Sequence, residues 1–381
     1  MNMTRLAAIA LLAMLTGCST ISDWFDSKKN TPEPAKLVDF KPRAAFEVRW
    51  HESIGDMGNG ELTPALTQDA VFVANAEGKV FRLQRSNGKQ VWKIDSGFTI
   101  SGGVGAGDGL VLVGGDKGEV AAYDEDGKLR WKTTVSSEVL SAPQAADGMV
   151  VVRTGDGHVA GLSETDGKRQ WLYERPTPAL IVRNHAPVVI SHGVAFAGFA
   201  AGKLAAIAVS NGSVRWETTV SQPRGSTELE RISDIVSMPV VDDQQVCAVS
   251  FQGRVGCFDA AQGSSLWSRD LSSDKGLTML RRNLYVTDAQ GSIQALDKSS
   301  GSSVWKNDQL FMRETSAPVA LGDFVVVGDF EGYLHALSRN DGAMMARIDT
   351  DGSPILTAPL EMDGGLLVQT QNGGLYSVAI H

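Results

Sequence analysis

The chain has 381 residues, of which 43% are hydrophobic and 41 are glycine, and its formal net charge is −9. This composition predicts a globular, turn-rich protein. The acidic balance, without a run of lysines and arginines, argues against nucleic acid as a partner because nucleic-acid affinity depends on neutralising phosphates. No stretch of 18 or more apolar residues follows the N-terminal region, so no transmembrane helix is predicted.

The N-terminal residues have the order of a secretory signal peptide, with Arg5 before an apolar run that ends at Leu15. This run is too short to span a bilayer as a stable helix. Gly17 and Cys18 follow it and resemble a bacterial lipobox, which implies cleavage after residue 17 and acylation of Cys18. Because Ser19 rather than aspartate follows, the resemblance favours an anchor in the outer membrane, facing the periplasm. An ordinary secretory peptide with an incidental cysteine is the alternative.

Residues 18–44 are predicted to be a lipidated, flexible tether. Polar, proline-containing segments such as Thr31–Pro34 offer too few apolar side chains to offset the entropy of ordering them. The predicted organisation is therefore a signal peptide over residues 1–17, the tether over residues 18–44 and a folded unit over residues 45–381.

A glycine-led apolar strand recurs eight times in the folded unit, at intervals of 38 to 51 residues. The copies begin at Gly78, Gly118, Gly157, Gly202, Gly253, Gly291, Gly332 and Gly373. Tight turns such as Asn87-Gly88 follow, and a further strand begins near a proline in most repeats. A period near 40 with strand-forming residues and glycine turns predicts the four-stranded blades of a β-propeller.

Tryptophan marks the last strand of six repeats, four residues after the turn glycine, whereas the seventh repeat has Ala346 there. The eighth glycine strand ends the chain without a tryptophan strand, and Phe46–Trp50 is a tryptophan strand with no blade before it. We therefore predict an all-β, eight-bladed propeller that is closed by pairing of the N- and C-terminal strands, which removes an open sheet edge.

The regular spacing of the tryptophans favours a packing role between blades over stacking against a sugar or another ligand. The predicted wedges are Trp50, Trp92, Trp131, Trp171, Trp216, Trp267 and Trp305.

Cys247 and Cys257 lie symmetrically about Gln252, so a hairpin there would place them directly opposite each other. Cross-strand Cβ atoms lie slightly farther apart than a relaxed disulfide needs. The sequence is therefore compatible both with a disulfide and with two free thiols.

No catalytic constellation is present in the sequence. It has no Gly-x-Ser-x-Gly, phosphate-loop or HExxH motif. The glycine cluster Gly102–Gly109 lacks strict dinucleotide spacing and falls where a blade begins. The histidines are scattered, so we predict no catalytic residue, no metal site and no cofactor.

The repeat resembles those of the pyrroloquinoline-quinone alcohol dehydrogenases, which are also eight-bladed. That family carries adjacent cysteines beside its quinone, whereas Cys247 and Cys257 are ten residues apart. Since a shared fold does not carry function, a quinoprotein enzyme is the least favoured hypothesis.

A closer resemblance covers nearly the whole chain. The lipobox, the polar tether, the eight repeats and the stretch Gly225–Asp234 are similar to the BamB family, the propeller lipoproteins of the outer-membrane β-barrel assembly (Bam) machinery. This resemblance implies a non-enzymatic subunit that docks on the periplasmic POTRA domains of BamA, and through BamA joins the other Bam subunits. It also implies assistance to the folding of outer-membrane protein clients. A periplasmic propeller that binds glycan or another protein is the alternative.

Two stretched repeats indicate where docking occurs. The additions fall in Leu172–His185 and Thr218–Met238, which we expect to be neighbouring loops on one propeller face. The predicted partner-binding residues are Leu180, Ile181, Val182, Arg183, Arg231 and Asp234. Of these, Leu180, Val182, Arg183 and Asp234 match positions that the family resemblance implies in the partner surface. The family can have a second acidic residue two positions after this aspartate, where the present chain has Val236. The alternative is that the apolar residues pack under their own loop and that Asp234 caps or pairs with Arg231.

Overall fold

The computed structural model describes residues 33–381 except Asn59 and Asn184. These residues form eight antiparallel sheets of four strands each, which confirms the eight-bladed propeller. A 3-10 turn at Ala200–Gly202 is the one helical element in this part of the chain. No helix among the described residues has the length and hydropathy needed to cross a membrane. The predicted signal peptide and Cys18 lie outside the described residues.

Strands are numbered in chain order, and each blade is formed by consecutive strands except the last. Blade 1 contains β2 (Ala65–Leu66), β3 (Ala70–Ala74), β4 (Lys79–Gln84) and β5 (Gln90–Asp95). Blade 2 contains β6 (Ile100–Gly107), β7 (Leu110–Gly115), β8 (Glu119–Asp124) and β9 (Leu129–Thr134). Blade 3 contains β10 (Gln144–Ala146), β11 (Met149–Arg153), β12 (Val159–Ser163) and β13 (Arg169–Tyr173). Blade 4 contains β14 (Val189–Ser191), β15 (Val194–Phe199), β16 (Lys203–Ala208) and β17 (Val214–Thr219).

The second half of the ring repeats this order. Blade 5 contains β18 (Val240–Val241), β19 (Gln245–Val249), β20 (Arg254–Asp259) and β21 (Ser265–Asp270). Blade 6 contains β22 (Gly276–Leu280), β23 (Asn283–Thr287), β24 (Ile293–Asp297) and β25 (Ser303–Asn307). Blade 7 contains β26 (Val319–Leu321), β27 (Phe324–Gly328), β28 (Tyr333–Ser338) and β29 (Met344–Asp349). Blade 8 contains β30 (Leu360–Met362), β31 (Gly365–Gln369), β32 (Gly374–Ile380) and β1 (Phe46–Ser53).

The first strands of neighbouring blades contact one another around the ring, so they form its inner wall. In five blades the residue directly before this strand is the predicted proline, which needs no hydrogen-bonded N–H there, and in blade 4 Pro187 lies two residues before the strand. In blade 2 the glycine cluster forms β6. A Cβ atom on Gly105 would lie 1.8 Å from the carbonyl oxygen of Pro143, so close approach of the inner strands requires glycine at this position.

The chain termini close the ring as predicted. Strand β1 pairs antiparallel with β32, with Phe46 opposite Ile380 and Trp50 opposite Ser377. Ala45 and His381 also exchange two backbone hydrogen bonds. The eighth sheet therefore joins the first and last strands of the propeller.

Each predicted wedge tryptophan lies against the last turn of the following blade. The Trp131 ring covers Gly167, where an added Cβ atom would lie 2.5 Å from the indole and where φ is +69°. The indole Nε1–H of Trp131 donates to the carbonyl oxygen of Glu164 at 2.7 Å. The same donation joins Trp50 to Arg85, Trp92 to Glu125, Trp171 to Val209, Trp216 to Ala260, Trp267 to Lys298 and Trp305 to Arg339.

The same contact explains why residue 346 is alanine and not tryptophan. It occupies the tryptophan position of blade 7, whose neighbour is blade 8. Blade 8 has no turn between its last two strands because these strands, β32 and β1, come from opposite ends of the propeller. An indole at residue 346 would have no turn glycine to cover. Ala44 and Phe46 pack beside the buried Ala346 instead.

Cys247 and Cys257 are paired across β19 and β20 and are joined by a disulfide. The predicted hairpin register is therefore confirmed, and the question of whether the two thiols are bonded is settled. Both residues are fully buried in a cluster that packs blade 5 on blade 6. The bridge lies within one sheet, so it strengthens a hairpin and does not join blades.

The structure corrects the predicted tether for residues 35–44, whereas residues 18–32 lie outside the described part of the chain. Residues 35–44 pack along blade 7, where Leu37 and Phe40 contact its hydrophobic cluster. The backbone N–H groups of Arg43 and Ala44 donate to the carbonyl oxygen of Met345. Composition suggested a freely solvated segment, but two apolar side chains and these backbone bonds are sufficient for docking on an existing edge.

The wedge contact predicts a large stability cost for Trp131→Ala. Removing this buried indole should lower the free energy of unfolding by about 3–5 kcal/mol, because blades 2 and 3 lose their packing at this point. Chemical denaturation measures this loss in the free energy of unfolding. Leu129→Ala on the same strand, where the side chain is 51% exposed, is the matched control. A loss of less than about 1 kcal/mol for Trp131→Ala would contradict the wedge role.

Glu164, in the turn that Trp131 covers, gives the contact between blades 2 and 3 a pH dependence. Burial and the neighbouring Asp108 carboxyl raise the pKa of Glu164 to about 7. Folding then favours the protonated acid, so its stabilising contribution is complete below the ordinary pKa of 4.5 and is lost as the pH rises through about 7. Glu164→Gln should raise the melting temperature relative to the parent more at pH 8 than at pH 5. Equal shifts at both pH values would contradict this, and Glu125→Gln in the equivalent turn is the control.

Candidate functional site

The candidate site consists of two loops that emerge on one face of the ring. The first long loop, residues 174–188, connects β13 to β14, and the second long loop, residues 220–239, connects β17 to β18. Both run from the outermost strand of one blade to the innermost strand of the next, so both leave on the same side. The first joins blades 3 and 4 and the second joins blades 4 and 5, as the stretched repeats predicted.

Asp234 joins the two loops from beneath the surface. Its Oδ2 accepts a hydrogen bond from the backbone N–H of Val182 at 2.8 Å. Its Oδ1 accepts one from the N–H of Ala201 at 2.9 Å, in the 3-10 turn of blade 4. Asp234 is only 2% exposed, so the structure places this predicted partner-binding carboxylate below the surface. The carboxylate therefore holds the backbone of the first long loop.

Arg153, at the end of β11, supports this arrangement from blade 3. It is buried, and burial lowers the pKa of its guanidinium to about 10, while the negative charge of Asp234 opposes the shift. Its Nη1 donates to the carbonyl oxygen of Ala186 at 3.1 Å, and its guanidinium lies 5.4 Å from the ring centroid of Phe199. The arginine stays protonated at neutral pH, so a buried positive charge lies beneath the loops, close enough to Asp234 for their charges to interact.

Leu180 and Arg183 present the exposed part of the first long loop. Leu180 is 41% exposed, whereas Ile181 and Val182 are partly buried. The Arg183 side chain is 60% exposed and its Nη2 lies 2.8 Å from Oε2 of Glu138. Glu138 belongs to the preceding connection between blades, residues 135–143, so the ion pair directs the guanidinium across the face. An apolar side chain beside an arginine is a typical composition for an interface hot spot.

The second long loop contains a capped turn. The Glu230 carboxylate accepts the N–H groups of Ser226 and Thr227, and the N–H of Glu230 donates to Oγ1 of Thr227. This is a capping box, and its backbone hydrogen bonds lower the pKa of Glu230. Leu229 lies in this turn, and it is 66% exposed.

Arg231 does not pair with Asp234. Its Nε donates to the carbonyl oxygen of Gly225 at 3.1 Å, and its Nη1 lies 3.5 Å from Oε1 of Glu228. The predicted alternative pairing is therefore wrong, and the exposed Arg231 stabilises its own turn.

A small cavity lies beneath the two loops. The cavity between Arg153, Ile181, Val182 and Asp234 has a volume of about 20 Å3, which is enough for a water molecule. Within residues 33–381, Asn59 and Asn184 aside, no three His, Cys, Asp or Glu side chains are placed to hold a metal ion.

Sequence reasoning located both loops but missed one of their residues, Leu229, and two residues that support the loops from outside, Arg153 and Glu138. Leu229 is an apolar residue inside a Thr-x-x-Glu capping box, a signal that was readable in the sequence. Arg153 and Glu138 carried no such signal, because their partners lie in other blades.

Comparisons with known proteins agree with this architecture. A family model described as "Outer membrane protein assembly factor BamB" matches residues 76–307. The protein of that name from Nitrosomonas eutropha is 40% identical over 99% of this chain and 95% of its own length. The one from Pseudomonas aeruginosa is 40% identical over 98% of each chain.

Solved structures give the same result. The crystal structure of BamB from Moraxella catarrhalis has a TM-score of 0.81 and 26% identity, covering 88% of this chain and 99% of that one. A quinohemoprotein alcohol dehydrogenase from Comamonas testosteroni has a TM-score of 0.70 and 12% identity, over 87% of this chain and 76% of that one. The latter likeness shows the fold alone. The chain belongs to the BamB family of outer membrane protein assembly factors.

Proposed function

We propose that this protein is a non-catalytic scaffold subunit of the Bam machinery that assists the folding and insertion of outer-membrane proteins. It docks through its two long loops on the periplasmic POTRA domains of BamA, and through BamA it joins the other subunits. Acylation of Cys18 anchors it in the outer membrane, facing the periplasm.

The observation that carries the proposal is the presentation of Leu180 and Arg183. Both side chains are exposed, yet the segment that bears them is held by the buried carboxylate of Asp234. A preorganised loop loses little conformational freedom on binding, so its exposed anchors contribute more to affinity. Exposed apolar area beside a directed guanidinium favours a protein partner over a glycan, which would require stacking rings; the wedge indoles cover turn glycines instead.

The scaffold role is also favoured over quinone-dependent dehydrogenation. The quinoproteins to which the repeat is similar place adjacent cysteines beside the cofactor. Here the two cysteines are joined across a hairpin and buried between blades 5 and 6.

The first test is Arg183→Glu. Reversal places two carboxylates together at Glu138 and removes the exposed guanidinium, so affinity for the POTRA domains of BamA should fall at least ~30-fold, the loss expected for a hot spot. Titration of purified domains measures this effect, and co-purification from detergent-solubilised outer membranes checks it. Arg130→Glu, the same reversal on the exposed edge of blade 2, is the control. Unchanged co-purification of Arg183→Glu with BamA would refute the docking surface.

The second test separates positioning from contact at Asp234. In Asp234→Asn the amide oxygen can accept only one of the two N–H groups well, and Arg153 loses its counter-charge. Hydrogen exchange at the Val182 amide should accelerate, and POTRA affinity should fall with it. Breaking such a buried bond costs roughly 1–3 kcal/mol. Lost binding with unchanged exchange at Val182 would mean that Asp234 touches the partner directly.

A further inference from the structure

Blade 7 carries a buried polar network that the partner-binding face does not use. Asp329 and His335 are fully buried and Arg313 is 3% exposed. Oδ2 of Asp329 accepts hydrogen bonds from Nε of Arg313 at 2.8 Å and from the His335 ring at 2.9 Å. Its Oδ1 accepts the backbone N–H groups of Glu331 and Tyr333. The carboxylate is therefore saturated, and it fixes the orientation of both Arg313 and His335.

His335 in turn orients a second arginine. Nε of Arg347 lies 3.2 Å from Nδ1 of His335. An arginine nitrogen only donates, so Nδ1 must accept and the ring proton must lie on Nε2, facing Asp329. Burial lowers the pKa of His335, which keeps the ring in this neutral form. The network thus ends in two guanidinium groups of fixed orientation at the edge of the blade.

Both guanidinium groups bind the segment that precedes the propeller. Nη1 of Arg313 donates to the carbonyl oxygen of Ala35 at 3.1 Å, and Nη2 of Arg347 donates to that of Val38 at 3.3 Å. The Arg347 guanidinium also lies 5.1 Å from the ring centroid of Phe40. Two chains of hydrogen bonds that start at the buried Asp329 carboxylate therefore end on the backbone of one segment.

The path of this segment decides where the anchor leaves the ring. The N–H of Ala35 donates to the carbonyl oxygen of Phe311, in the connection between β25 and β26. That connection is of the same type as the two long loops, so Ala35 lies on their face. Ala44 lies at Met345, near the start of β29 and thus toward the opposite face. Residues 35–44 cross the outer edge of blade 7, with their N-terminal end on the loop face.

We propose that blade 7 is a docking site for residues 35–44 and that it fixes the exit of the membrane anchor on the face that carries the two long loops. The positioning rests on the acylation of Cys18 proposed above. The 17 residues from Cys18 to Ala35 reach at most ~60 Å, whereas an undocked chain running to Phe46 reaches ~100 Å. Docking therefore holds the loop face closer to the membrane.

Trypsin measures docking directly in the full chain. The bonds after Lys36 and Arg43 lie in the docked segment, and the double variant Leu37→Ser/Phe40→Ser should cleave at them at least ~10-fold faster than the parent. Val38→Ser, whose side chain is 43% exposed, is the matched control and should cleave at the parental rate. Cleavage of the parent as fast as the double variant would overturn the docking site. An unchanged chemical melt of the propeller shows that the substitutions act only on the segment.

Energy transfer measures the positioning. The acylated protein, with Asp308→Cys carrying a donor dye, is placed in vesicles that contain an acceptor lipid. Transfer should fall in the Leu37→Ser/Phe40→Ser background and not with Val38→Ser. Unchanged transfer in the double variant, or a chain that does not stay on the vesicles, would overturn the positioning. Affinity for the POTRA domains in solution should be the same for the parent, the double variant and Val38→Ser. This separate measurement distinguishes a failure of the proposed POTRA docking from a failure of the proposed anchor position.

Discussion

The contact between each indole ring and the turn glycine of the next blade is the interaction on which the rest of the structure depends. It combines burial of a large apolar ring with a donated hydrogen bond, and it repeats at seven of the eight blade boundaries. The remaining boundary is the one where the chain termini meet. There the indole is replaced by Ala346, and the docked N-terminal segment packs on the outside of blade 7.

A ring locked in this way gives its loops a fixed base, and the two long loops add their own support. The carboxylate of Asp234 spans from the 3-10 turn of blade 4 to the backbone of Val182. Arg153 supplies the matching charge from blade 3. Leu180 and Arg183 can therefore be exposed while their backbone is held in place, and this combination supports the proposed protein-binding surface. The same principle recurs at blade 7, where buried Asp329 and His335 orient the arginines that hold residues 35–44.

Much of this was readable in the sequence because it repeats. Periodic glycines and tryptophans gave the blade number, and the unmatched strand Phe46–Trp50 gave the closure. The long loops were visible as stretched repeats. What the sequence could not provide were contacts between distant positions. Asp234 looked like a surface acid because Val182 lies 52 residues away, and residues 35–44 looked free because the guanidinium groups that bind them lie about 300 residues later.

The central claim is that a rigid ring presents Leu180 to a protein partner. A photo-crosslinking amino acid at residue 180 of the full chain, in living cells, tests it most directly, with residue 129 on the exposed edge of blade 2 for comparison. The account predicts a crosslink from residue 180 to BamA and none from residue 129. A crosslink to BamA from residue 129 but not from residue 180 would contradict it.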